Sequence, residues 1–152
     1  MVRVMATGVF DLLHPGHLYY LSQSKKLGDE LVVVVARDRT ASRLKRIPVL
    51  PENLRREMVE ALKPVDRAVL GSVTDLFHTV EEIRPDIITL GYDQHWDEEE
   101  LERECSRRGV PVKVVRLGGL PEDLLGSSKI IDRILQLYGG GRPDKGREGA
   151  PR

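Results

Sequence analysis

Short apolar runs alternate with amphipathic stretches along most of the chain. Val2 to Ala6 reads as a first strand, closed by Thr7 and Gly8, where a glycine admits backbone angles or close contacts that a Cβ forbids. A helix is predicted to open at His14-Pro15-Gly16-His17, since a proline with φ already fixed suits the first helical turn, and Gly28 is its expected cap. Glu30 to Ala36 (ELVVVVA) is an unbroken β-branched run, the mark of a strand covered on both faces and so of a parallel sheet. Arg37 to Ile47 is polar and basic and reads as a loop. Leu54, Met58, Val59 and Leu62 fall on one stripe of a helix from Glu52 to Leu62. Asp66 to Leu70 is a third strand, and Thr74 is placed to cap a helix carrying Leu76, Phe77, Val80 and Ile83. Ile87 to Leu90 is a fourth strand. Asp97 to Arg108 is a charged helix with its acids early and Arg107 and Arg108 late, stopped by Gly109. Pro111 to Val115 is the fifth strand. After a loop from Gly118 to Asp123, Ser127 or Ser128 is expected to cap a last helix, with Ile130, Ile131, Ile134, Leu135 and Tyr138 toward the core.

This rhythm predicts an α/β fold, a Rossmann-like open parallel sheet of five strands with helices on both faces and right-handed crossovers. Ligands in such sheets bind at the carboxyl ends of the strands, near the switch point. The topology would gather Thr7 to His17, Arg37-Asp38, Gly91 to Gln94 and Gly126 to Lys129 there. The 152 residues suit one domain, assigned to 1–138. Residues 139–152 (GGGRPDKGREGAPR) have no apolar period and are expected to form a disordered tail. Zero net charge leaves no global field to steer the chain to nucleic acid or an anionic membrane. A single cysteine, Cys105, excludes an internal disulfide. No apolar run approaches a membrane span and no signal peptide is evident, so a cytoplasmic protein is expected.

The free N–H groups of the first turn after His14 would face whatever sits over the strand end, and the helix dipole favours an anion there. Two imidazoles, His14 and His17, beside a phosphate-sized site suggest chemistry on a phosphate. A bare H-x-x-H is more often incidental or metal-binding, so context decides. Here the pair follows a strand, a glycine turn and Asp11. The run GVFDLLHPGH resembles the G-x-F-D-x-x-H-x-G-H signature of the cytidylyltransferase-like nucleotidyltransferases, the HIGH-motif superfamily. Within it, TGVFDLLHPGH, ELVVVVARD, REMVEALKPVDRAVLGS and PDIITLGYDQ look most like the archaeal-type FAD synthases, over most of residues 1–117. Those relatives usually carry an aromatic residue and paired cysteines after the fifth strand, where this chain has Gly118-Gly119-Leu120-Pro121 and no Cys beyond Cys105.

The resemblance implies transfer of AMP from ATP to FMN, with release of pyrophosphate, by direct in-line displacement. A divalent metal such as Mg²⁺ would ride on the triphosphate, with no protein metal ligands and no tightly held prosthetic group. It makes His14 and His17 the catalytic pair, and adds Val9, Phe10, Pro15 and Gly16 to the nucleotide site. Asp93 would accept bonds from base or ribose, its other reading being a turn-forming Asp. Ser127 and Ser128 would take the β- and γ-phosphates, or serve only as a helix cap. Arg43, Lys45 and Arg46 could neutralise the leaving pyrophosphate, although a solvated charge run is the plainer explanation. His78 and His95 are given no role. The partners implied are ATP and FMN, without nucleic acid or membrane, in a homodimer. Two other readings stand beside this one: a cytidylyltransferase using CTP and a small phosphorylated alcohol such as glycerol 3-phosphate, and a non-catalytic nucleotide-binding module.

Overall fold

The computed structural model describes residues 1–44, 46–120 and 126–139. In chain order its elements are β1 (Arg3–Gly8), α1 (Pro15–Lys25), β2 (Glu30–Val35), α2 (Asp38–Leu44), α3 (Glu52–Glu60), β3 (Arg67–Leu70), α4 (Leu76–Ile83), β4 (Ile87–Leu90), α5 (Glu98–Arg107), β5 (Lys113–Arg116) and α6 (Ser127–Tyr138). The strands pair in parallel in the order β3-β2-β1-β4-β5. The chain winds one way from β1 to β3 and the other way from β4 to β5, which puts the switch point between β1 and β4.

Side chains alternate across β1, and the two halves of the core follow from that alternation. Val4 and Ala6 join Leu21 of α1 and Val59 of α3 on one face, while Met5 joins Val80 of α4 and Leu101 of α5 on the other. Leu31 to Val33 and Val35 of β2 are wholly buried, as an unbroken β-branched run demands. The Rossmann-like parallel sheet with helices on both faces is thus present. Among the described residues no helix is long and apolar enough to cross a membrane.

Several local expectations are corrected. Arg37 to Ile47 is not all loop, because α2 occupies Asp38–Leu44; it buries only Ala41, so no apolar stripe announces it. Helix α3 is turned away from the expected face: Leu54 and Met58 are about half exposed at 47% and 52%, while Arg55 and Val59 are buried. Asp75, not Thr74, caps α4 by accepting the His78 N–H at 2.8 Å, and Thr74 bonds to Ser72 instead. Gly28 does not cap α1, whose C-cap is Lys26; a Cβ on Gly28 would lie 2.7 Å from the Val2 carbonyl oxygen, so the need is for close approach. Gly126 precedes α6 with no side-chain cap, so neither serine caps it, and α6 buries none of its residues. Ile130 and Ile131 are half-buried while Ile134, Leu135 and Tyr138 lie on the surface, because both sheet faces are already covered by α1, α3, α4 and α5. Residues 140–152 of the expected tail lie outside the described residues.

Candidate active site

The site begins where β1 runs out. Pairing of β1 with β2 continues to Gly8, but pairing with β4 stops at Ala6 opposite Thr89, so the sheet splits at the switch point. Tyr20 of α1 fills the split: its hydroxyl donates to the Thr89 carbonyl at 2.8 Å and accepts the Thr7 N–H at 3.3 Å. Burial there pushes the Tyr20 phenol up to about 12, against the lowering effect of its bonds to Thr89 and Thr7. Beneath it the Ser24 and Thr89 hydroxyls bond at 2.8 Å in full burial. Gln94 spans the mouth, accepting the Gly91 N–H at 2.7 Å and donating to Thr7 Oγ1 at 3.1 Å.

The turn from β1 to α1 is held from below. A Cβ on Gly8 would meet the Phe10 ring at 2.7 Å, so the glycine lets the ring fold under the turn. Phe10 takes φ 53, a left-handed conformation that a bulky residue keeps only when its surroundings compel it. Burial of its ring and an edge contact with His17 at 5.2 Å are part of that compulsion. Arg55 supplies more. Wholly buried, it donates to the carbonyls of Val9 and Ala36, both at 2.8 Å, to Leu50 at 2.9 Å, and to Asp38 Oδ1 at 2.6 Å. Asp11, also buried, accepts the N–H groups of Val49 at 2.7 Å and Leu50 at 2.9 Å and the Arg46 guanidinium at 2.8 Å. Burial alone would raise the Asp11 carboxyl, but these three donors together hold it below the usual range.

His14 is the N-cap of α1. Its extended backbone (φ −148, ψ 171) lets Nδ1 accept the Gly16 N–H at 3.1 Å, and Pro15 follows in the first turn. A neutral imidazole that accepts through Nδ1 carries its proton on Nε2 and has that N–H to donate. Its ring stacks on His17, centroids 3.8 Å apart and planes at 29°. Burial holds His14 below the ordinary imidazole pKa. His14 therefore presents a neutral donor at a helix N-terminus with the His17 ring stacked on it, an arrangement suited to a polyanion.

The other residues named from sequence fall as follows. The loop after β4 returns to the same end of the sheet, where Asp93 is exposed, with its Oδ1 3.4 Å from where a Cβ on Gly91 would stand, and its charge helps raise Tyr20. Ser127 donates to the Leu12 carbonyl at 3.4 Å, bringing the start of α6 against the turn before His14, with Ser128 exposed beside it. Arg43 is exposed on α2, Arg46 is engaged by Asp11, and Lys45 lies outside the described residues. Tyr20 and Arg55, and the role of Gln94 within its stretch, are what sequence reasoning missed. Arg55 left one trace, a cation on an otherwise apolar i, i+4, i+7 stripe with Val59 and Leu62.

A family model described as Cytidylyltransferase-like matches residues 5–133, from within β1 into α6. The chain belongs to the cytidylyltransferase-like family. It is 62% identical over 143 residues to the FAD synthase of Aciduliprofundum boonei, covering 91% of this chain and 96% of that protein. The FAD synthase of Methanoculleus marisnigri is 57% identical over 139 residues, covering 91% and 93%. A crystal structure described as the lipopolysaccharide core biosynthesis protein from Thermoplasma volcanium superposes with a TM-score of 0.77 at 57% identity, over 79% of this chain and 98% of that one. All four stretches expected at the switch point lie inside the cytidylyltransferase-like match.

Proposed function

We propose that the chain is an FAD synthase, a nucleotidyltransferase that moves AMP from ATP to the phosphate of FMN and releases pyrophosphate. The observation that carries this is the 62% identity to an FAD synthase over nine-tenths of the chain. In the reaction an FMN phosphate oxygen attacks the α-phosphorus, the new O–P bond forms, and the bond to the β-phosphate oxygen breaks in line with it. A phosphate nucleophile is already ionised near neutral pH, so catalysis rests on positioning and charge stabilisation. His14 and His17, with the N–H groups of Val9 and Phe10, are read as the donors that meet charge on the α-phosphate and the departing pyrophosphate, whereas the first-turn N–H groups of Gly16, His17 and Leu18 are already taken by His14. Pro15 and Gly16 let the nucleotide approach the helix start. Asp93 is assigned to base or ribose, Ser127 and Ser128 to the outer phosphates, and Arg43 and Lys45 to the leaving group. Arg46, held by Asp11, is the weakest member of that basic set.

The divalent cation enters as part of the nucleotide substrate. Among the described residues no cluster of three or more His, Cys, Asp or Glu side chains is arranged to hold an ion. A cytoplasmic homodimer completes the reading.

The test is a cross of donors and acceptors: ATP or CTP with Mg²⁺, each with FMN or glycerol 3-phosphate, followed by chromatography and a pyrophosphate assay. FAD and pyrophosphate are expected from ATP with FMN. A CDP-alcohol from CTP would establish the cytidylyltransferase instead, and pyrophosphate from no combination would leave a binding module.

A further inference from the structure

Arg116, the last residue of β5, spends its whole guanidinium on the loop that follows β4. Nη1 donates to the carbonyls of Gly91 at 3.0 Å and Gln94 at 2.8 Å. Nη2 donates to the Trp96 carbonyl and to Glu98 Oε1, the latter at 3.0 Å, and Nε donates to Glu98 Oε2 at 3.2 Å. A guanidinium has five N–H donors in a fixed planar fork, and all five are used here. Three carbonyls within six residues converge on one cation, so the loop is wound around it, and Glu98 balances the charge. The same loop carries Asp93, and it carries Gln94, which reaches Thr7 across the split in the sheet. The path runs from β5 through Arg116 to the loop, and from the loop to the end of β1.

We propose that Arg116 is a positioning residue for the nucleoside half of the nucleotide: it fixes the loop that presents Asp93 and Gln94, and it does not bind phosphate. With five donors engaged and its charge matched by Glu98, it has neither a free N–H nor an uncompensated charge for a polyanion. This rests on the reading that the chain binds a nucleoside triphosphate at the switch point, and it goes beyond that reading by naming what holds the base side in place. A lysine at this position would keep the charge but could not offer a planar fork to three carbonyls and a carboxylate at once.

The experiment compares Arg116→Lys and Arg116→Ala with the wild type in two measurements. Steady-state kinetics should show KM for ATP raised about tenfold in both variants, with kcat and KM for FMN held within about twofold, the signature of lost binding shared by ground and transition states. Equilibrium binding of ATP and of CTP, followed by fluorescence of the single tryptophan, Trp96, should weaken by a similar factor whether or not FAD is formed. Added to Asp93→Asn, the Arg116→Lys change should cost less than the sum of the two, since both act on one loop. A fall in kcat with KM for ATP unchanged would make Arg116 a phosphate-stabilising group and overturn the proposal. So would wild-type nucleotide binding in Arg116→Lys. A wild type that binds nucleotide but makes no FAD would remove the FAD synthase reading alone, and the binding comparison would still decide the role of Arg116.

Discussion

The neutral imidazole of His14 serves as a helix cap and as a proposed phosphate donor, and both roles require the proton on Nε2. Protonation would turn Nδ1 from acceptor to donor and break its bond to the Gly16 N–H. Because burial holds the folded pKa below the ordinary value of 6.5, the unfolded chain takes up this proton first as pH falls. The stability that neutral His14 contributes is therefore full above 6.5 and is lost as pH falls through the lower folded value. Melting temperatures of wild type and His14→Gln, compared from about pH 8 to pH 5, should converge on the acid side. A gap that widens on acidification would contradict the sign. For His17, replacement by alanine should cut kcat about 10²- to 10³-fold with the melting temperature and circular dichroism little changed. A variant retaining most of its turnover would remove His17 from the chemistry. The histidine pair was legible because capping is local: the signal lies within four consecutive residues. Gln94 and Arg55 were not, since their partners lie 87 and 46 positions away in Thr7 and Val9. Asp11 was visible as a neighbour of the pair, but nothing in the sequence says that Val49 and Leu50 will come to it.

Among the elements, α3 shows how a periodicity can be read correctly and still point to the wrong face. Its helical stripe was found, yet a scale that rejects charge rotates it toward Leu54 and Met58. The structure buries Arg55 because the ends of β1 and β2 and the loop before α3 leave carbonyls of Val9, Ala36 and Leu50 turned inward, and one fork satisfies all three. The cost of removing it follows from those acceptors more than from Asp38, whose side chain is 46% exposed. Arg55→Ala should lose about 3 kcal/mol or more in urea denaturation, because buried acceptors are left unpaired. Arg55→Lys should recover only part of this, since an ammonium is a point donor. A loss under about 1 kcal/mol would show that the carbonyls find other donors. Helix α2 was missed for a simpler reason: with Ala41 as its only buried residue, it has no stripe to detect.

At the scale of the whole molecule, the parallel sheet was readable because burial on both faces leaves runs such as ELVVVVA without alternation. The full order β3-β2-β1-β4-β5 was not readable, because it depends on pairings that no local run encodes. The reading failed most on α6, whose apolar residues match a core-facing pattern although the core was already closed by four other helices. Amphipathicity states that a face wants cover; it does not state what covers it. The two cases separate in a stability measurement. Ile88, wholly buried in β4, sits in a close-packed layer, and Ile88→Ala should cost about 2–5 kcal/mol through lost transfer energy and a residual cavity. Ile134, 47% exposed on α6, has much less surface to return to water, and Ile134→Gln should stay within about 0.5 kcal/mol in dilute protein. A large, concentration-dependent loss for Ile134→Gln would show instead that α6 is buried against a second molecule, since stability shared across an interface follows mass action.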